Sequence, residues 1–218
     1  MRNVPHSSSM NAYFLRHGQT DWNAAHRIQG GVAEIDLNAD GVRQVEAAAA
    51  GLSRAGLAFD RVYSSPYRRA LHTAEIVCSR VGGTPIVDER IHEVNFGEYE
   101  GTPYLEGGYC DDNIRAAFEN PPAYVPRGGE TFEQVLARVR DFLDGELKPL
   151  EADCRNVLVV AHGGILHAVV TIVLGLDVSR FWEGRQRNCC MHVVDVSAGR
   201  LSLARRAVDP VAMGANVV

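Results

Sequence analysis

The chain has 218 residues, 46% of them apolar, with 22 Lys and Arg against 27 Asp and Glu for a formal net charge of -5. This suits a globular domain with a sizeable core and gives no global attraction to nucleic acid or an anionic membrane, so neither is an expected partner and any phosphate-binding field must be local. No apolar run approaches the roughly 20 residues that cross a bilayer, and residues 1–10 lack the apolar core of a signal peptide, so a cytoplasmic location is expected.

Residues 1–10 are polar and aperiodic and are expected to be disordered, ahead of a single domain over 11–218. Residues 12–15 are a short apolar run that stops at Arg16-His17-Gly18, which reads as a buried strand carrying chemistry at its C-terminal end. Open parallel sheets bind ligands at that edge, and Gly18 lets the backbone turn sharply there. An imidazole in this position can attack phosphorus, because Arg16 both neutralises phosphate oxygens and disfavours a protonated His17. A histidine in an ordinary turn is the plain alternative. Residues 17–37 then form a long loop with Asn23, Arg27, Gln29, Gly30 and Gly31, and long ordered loops are usually functional.

Asn38 is a plausible N-cap for a helix that buries Val42, Val45, Ala49, Leu52 and Ala55 and stops at Gly56. Residues 59–63 read as the next strand, and Pro66 suits the first turn of a helix carrying Arg68, Arg69 and His72 near its start. Residues 85–87 form a short strand, after which Glu93 lies in 90–97. Residues 98–127 are irregular and rich in Gly, Pro and Tyr, as expected of a cap inserted above the sheet edge. A helix follows Thr131 with Val135, Leu136, Val139, Phe142 and Leu143 as its stripe, ending before Pro149.

The β-branched run 156–161 suits a central strand buried on both faces, ending at His162. Gly163 and Gly164 turn the chain into a helix, which puts His162 and nearby amides at a helix N-terminus where an anion is favoured. Residues 177–183 suit a short helix, 191–196 and 201–205 an antiparallel hairpin turning at Ala198-Gly199, and 208–218 a loose tail. The whole reads as a three-layer α/β/α sandwich with a mostly parallel central sheet. Five cysteines (Cys78, Cys110, Cys154, Cys189, Cys190) lack framework spacing and are read as reduced. Cys189 and Cys190 are adjacent and would face opposite sides of a strand, so they do not suggest a metal.

Four motifs occur in order: Arg16-His17-Gly18, then 64–74 with Arg69 before Ala70, then Glu93 within 90–97, then Ala161-His162-Gly163-Gly164. Together they closely resemble the histidine phosphatase superfamily, in its phosphoglycerate-mutase-like branch, over about residues 13–203. The resemblance implies that His17 attacks in line to give a phosphohistidine, while Glu93 protonates the departing alkoxide and later deprotonates water. It also implies that Arg69 binds phosphate, that Arg68 occupies a variable position, and that Asn23 and the backbone around Gly30 help to enclose the phosphate. Arg16, Arg69, His17 and His162 offer enough positive donors to stabilise the transition state without metal or other cofactor. For this sequence Glu93 must begin neutral, for which partial desolvation is expected to raise its pKa, and His162 is expected to stay protonated among phosphate oxygens.

The expected substrate is a small-molecule phosphomonoester and the expected product inorganic phosphate, with a homodimer left open. A phosphoglycerate mutase is the runner-up. Residues 98–104 follow the phosphatase-type members, where mutases carry a lysine-bearing tyrosine-glycine segment, so the resemblance favours hydrolysis. Weaker alternatives are a metal-dependent phosphoesterase using His17, His162 and Glu93 as ligands, and a catalytically silent scaffold. Tyr104, Tyr109, Arg115, Tyr124, Arg127, Arg185 and Arg187 could line the entrance, but for each the surface is the expected place.

Overall fold

The computed structural model describes residues 9–214. Its elements in chain order are β1 (Met10–Arg16), α1 (Asp21–Ala24), α2 (Ala39–Arg54), β2 (Arg61–Ser64), α3 (Arg68–Val81), β3 (Pro85–Val87), α4 (Asp112–Glu119), α5 (Phe132–Phe142), β4 (Asn156–Ala161), α6 (Gly163–Leu174), β5 (Met191–Ser197) and β6 (Arg200–Val208). The sheet order is β3-β2-β4-β1-β5-β6. β3, β2, β4 and β1 run parallel, and the β5–β6 hairpin adds antiparallel to β1.

Side-chain alternation along the central strands divides two cores. Phe14, Val157 and Val159 pack with α5 and α6 through Val135, Val139, Phe142, Ile165 and Val169, whereas Leu15, Leu158 and Val160 pack with α2 and α3 through Val45, Leu52, Ala70 and Val77. The α/β/α sandwich expected from the sequence is the fold. Among the described residues no helix is long and apolar enough to cross a membrane.

Several local expectations are corrected. The disorder expected for residues 1–8 lies outside the described residues, but Met10 is fully buried in β1 and pairs with Val196, so the strand begins inside the segment read as polar. Pro66 precedes the helix: Tyr67 is the N-cap and α3 starts at Arg68. The helix opened by Thr131 has a capping box with Gln134, and after α5 the chain continues through a π turn at Leu143–Leu147 into a 3-10 turn at Lys148–Ala152, so Pro149 does not follow its end but sits inside the extension. The cap over 98–127 contains α4, capped by the Asp111 side chain on the Ile114 N–H. The tail is docked as far as Gly214: Gly51 of α2 sits so close to the Pro210 carbonyl that a Cβ would collide with it.

Register decides where the chemistry falls. Arg16 pairs with Ala161 and Ser64 with Val160, so β1 and β4 end level and β2 one residue short, and the next residues of each, His17, His162 and Ser65, share one edge.

Candidate active site

His17 is 1% exposed and its Nδ1 lies 2.7 Å from the Gly18 carbonyl. A carbonyl only accepts, so Nδ1 carries the proton and the Nε2 lone pair is left unprotonated. The His17 carbonyl accepts from the Asn188 amide at 3.1 Å. His162 is fully buried, with its ring centroid 5.2 Å from that of His17. Its Nε2 meets Ser65 Oγ at 2.7 Å, while Nδ1 has no protein partner.

Burial, then Arg69 and Arg16, hold the His17 pKa well below its ordinary value. Burial, Arg69 and His17 do the same to His162. Neutrality suits a nucleophile at His17, while the protonation expected of His162 concerns the ring among phosphate oxygens. Protein groups alone keep that ring neutral, and only the charge of a phosphate would oppose them.

Arg69 enters at the start of α3 and is fully buried; Nη1 donates to Val32 O at 2.7 Å and Nη2 to Gly30 O at 2.9 Å. Burial lowers its pKa to about 10, so the guanidinium remains charged at neutral pH. Arg16 donates through Nη1 to the Gln186 carbonyl. The Nε atoms of Arg16 and Arg69 are both buried without a protein partner. Thr73 ties helix to turn, accepting from Gly18 N–H at 3.2 Å and donating to Arg69 O at 2.7 Å.

The backbone around Gly30 holds Arg69 in place. Its φ of +47° is open to glycine and turns the carbonyl onto Arg69, while the Gly31 N–H is committed to Glu100. These groups position the guanidinium. Asn23 lies in α1 within the loop read as irregular; its Oδ1 accepts from Thr20 N–H at 3.2 Å and from Asn188 at 3.1 Å, which leaves its own amide to donate.

Glu93 is held by two backbone donors, Val94 N–H to Oε1 at 2.9 Å and Gly164 N–H to Oε2 at 3.2 Å, the latter in the first turn of α6. Arg138 clamps the segment from behind, donating to Arg90 O at 2.8 Å, His92 O at 2.7 Å and Glu93 O at 3.2 Å, while its Nε pairs with Glu130 at 2.7 Å. A Cβ on Gly164 would collide with Glu93 Oε1, whereas one on Gly163 would meet Arg16 Nε at an ordinary 3.5 Å. Gly164→Ala is therefore expected to leave α6 folded, displace the carboxylate and lower kcat on alkyl phosphates by about 10²-fold. Steady-state kinetics beside a thermal melt checks this, with an unchanged kcat as the contrary result.

All eight residues singled out from the sequence (Arg16, His17, Asn23, Gly30, Arg69, Glu93, His162, Gly163) thus come to one edge. Ser65, Arg138, Gln186 and Asn188 were missed. Arg138 has the look of a surface charge on a helix, and the other three gain meaning only once the strands align. Arg68 is a surface charge as read, paired with Asp36 and Glu75 at 3.1 Å each. The cleft above these groups has a volume of about 1410 Å³; Tyr104 and Tyr109, expected at the surface, line it half-buried, and Arg185 and Arg187 are exposed, as expected, at its edge. Tyr124 is core, Arg115 pairs with Asp112 and Arg127 with Asp111. All five cysteines are free thiols, and among the described residues no three His, Cys, Asp or Glu are grouped to hold a metal ion.

Comparison with known proteins adds the following. The family model of the histidine phosphatase superfamily (branch 1) matches residues 12–209. A metal-independent phosphoserine phosphatase of Arabidopsis thaliana is 36% identical over 162 residues, covering 71% of this chain and 65% of that protein. A 2,3-bisphosphoglycerate-dependent phosphoglycerate mutase of Cytophaga hutchinsonii is 34% identical over 160 residues, covering 72% and 73%. Among solved structures, a mycobacterial glucosyl-3-phosphoglycerate phosphatase superposes with a TM-score of 0.78 at 28% identity, covering 92% of this chain and 99% of that one.

Proposed function

The chain belongs to the histidine phosphatase superfamily and is a phosphohydrolase, and we propose that it hydrolyses small phosphomonoesters without metal, through a phosphohistidine on His17. The observation that carries this reading is the His17 ring, buried and neutral, its Nδ1–H spent on Gly18 and its Nε2 lone pair left beside two guanidinium groups.

In the first step Nε2 attacks phosphorus, the bond to the ester oxygen breaks and Glu93 gives that oxygen its proton. In the second the Glu93 carboxylate takes a proton from water, the water oxygen attacks phosphorus, and the P–N bond breaks to restore neutral His17 and release inorganic phosphate. Arg16 and Arg69 neutralise the equatorial oxygens. Ser65 Oγ accepts from Tyr67 N–H at 3.3 Å, so its hydroxyl proton is available to His162 Nε2. The free Nδ1–H of a neutral His162 then donates to phosphate, and Asn23 adds its amide.

Two guanidinium groups beside His17 and His162 repel a cation, so this site is poorly suited to a metal-dependent mechanism. The metal independence in the name of the Arabidopsis relative supports the same reading. Activity is expected to survive excess EDTA; loss restored by Mg²⁺, Mn²⁺ or Zn²⁺ would contradict it.

The mutase reading is kept because of the Cytophaga relative. Incubation with 3-phosphoglycerate, with and without 2,3-bisphosphoglycerate, separates the two: phosphate release without interconversion to 2-phosphoglycerate is expected, and rapid interconversion would reverse the order.

A further inference from the structure

One wall of the cleft is aromatic, and the chemistry proposed above does not use it. Phe118 on α4 is its hub. Phe96 and Tyr109 stack with it at centroid distances of 5.6 and 6.0 Å and interplanar angles of 24° and 26°. Tyr104 and Trp182 lie 5.1 Å from it, tilted by only 32° and 33°. All five rings line the cleft, and all but Phe96 are only partly buried. The four rings around Phe118 each lie within 24–33° of its plane. Trp182 donates its indole N–H to Ala117 O at 2.7 Å, so its polar group is spent inside the cap and its ring faces are apolar.

The position of this wall relative to Glu93 gives it a role. Phe96 lies three residues beyond Glu93. His167, 5% exposed, lies one turn along α6 from the Gly164 N–H that holds the Glu93 carboxylate, and stands edge-on to Trp182 at 5.0 Å and 71°. Burial, with Arg16, lowers the His167 pKa to about 3, so it adds no charge to the wall at working pH. The wall and Glu93, the carboxyl proposed to serve the departing oxygen, line the same cleft.

We infer that the alcohol portion of the substrate carries an aromatic or similarly flat apolar group, which stacks on the Phe118 wall. The inference rests on the phosphomonoesterase reading, because that reading places the alcohol on the Glu93 side. The competing substrate is a small carboxylate-bearing alcohol held by Arg185 and Arg187, which are exposed at the cleft.

The test compares 3-phenylpropyl phosphate with propyl phosphate, whose leaving oxygens are of similar basicity, and with O-phosphoserine. The phenylpropyl ester is expected to have a kcat/KM at least about tenfold above either. Phe118→Ala should lower the phenylpropyl-to-propyl ratio at least about fivefold, and Phe118→Leu replaces it if the alanine variant fails to fold. Equal kcat/KM for the two alkyl esters, or a preference for O-phosphoserine, would overturn the inference. A ratio unmoved by Phe118 substitution would do the same.

The corresponding phosphonates separate this inference from its premise. If the folded enzyme turns over no ester, the phosphomonoesterase reading fails. The wall is then decided by Kd alone: 3-phenylpropylphosphonate binding at least about tenfold tighter than propylphosphonate upholds it, and equal affinities overturn it.

Discussion

Replacing His17 with alanine is expected to lower kcat/KM for every phosphomonoester by about 10⁴- to 10⁶-fold, the scale seen when a covalent nucleophile is removed. Magnitude decides here, because a residue that only helps to hold phosphate oxygens costs about 10²–10³-fold. The imidazole makes one side-chain hydrogen bond, to the adjacent Gly18 carbonyl, so its loss leaves no distant donor stranded. A thermal melt close to that of the parent should accompany the loss of turnover. A loss of only 10²-fold in a folded variant would reduce His17 to a phosphate-holding role.

Glu93→Gln should fail differently. The amide keeps the size of the carboxyl and a carbonyl oxygen for one of the two N–H donors, Val94 or Gly164, but it cannot transfer a proton. Proton transfer of this kind is worth about 10²–10⁴-fold, and an alkoxide leaving group needs it whereas p-nitrophenolate does not. Rapid-quench measurement of the first phosphoryl transfer should therefore show a large loss with an alkyl phosphate and a much smaller one with p-nitrophenyl phosphate. Equal losses from both esters would remove Glu93 as the general acid and direct attention to another carboxyl in the cap.

Much of the fold was legible because its signals are local. The run 156–161 is β-branched and buried on both faces, and residues 85–87 form the short strand read there. Asn38 caps α2 through the Gly41 N–H at 2.8 Å, as its side chain suggests. What escaped depends on partners far along the chain. Met10 is apolar but follows a polar segment, and only its pairing with Val196 makes it a strand residue. α4 does carry Ile114, Ala117 and Phe118 at helical spacing behind the Asp111 cap, a local signal masked by the Gly, Pro and Tyr on either side of it.

The site divides in the same way. Arg16, His17 and His162 were readable because each stands at the end of a buried strand or just beyond it, and Arg69 and Glu93 because their motifs resemble the family. The supports were not. Arg138 reaches three carbonyls 45 to 48 residues away in sequence, and Asn188 holds a carbonyl 171 residues away. The electrostatics of His162 belong with the supports: a fully buried ring beside Arg69 is held neutral by the protein groups alone, and its burial is a property of the packed sheet edge. The aromatic wall could not be foreseen residue by residue, because Tyr104, Tyr109 and Trp182 acquire a common face only around Phe118.

Rapid-quench labelling with a ³²P phosphomonoester tests the central claim most directly. At times short against turnover, the chain should carry acid-labile, alkali-stable phosphate on the peptide that contains His17. Steady turnover with no such label at any quench time, or with the label on another residue, would contradict the account.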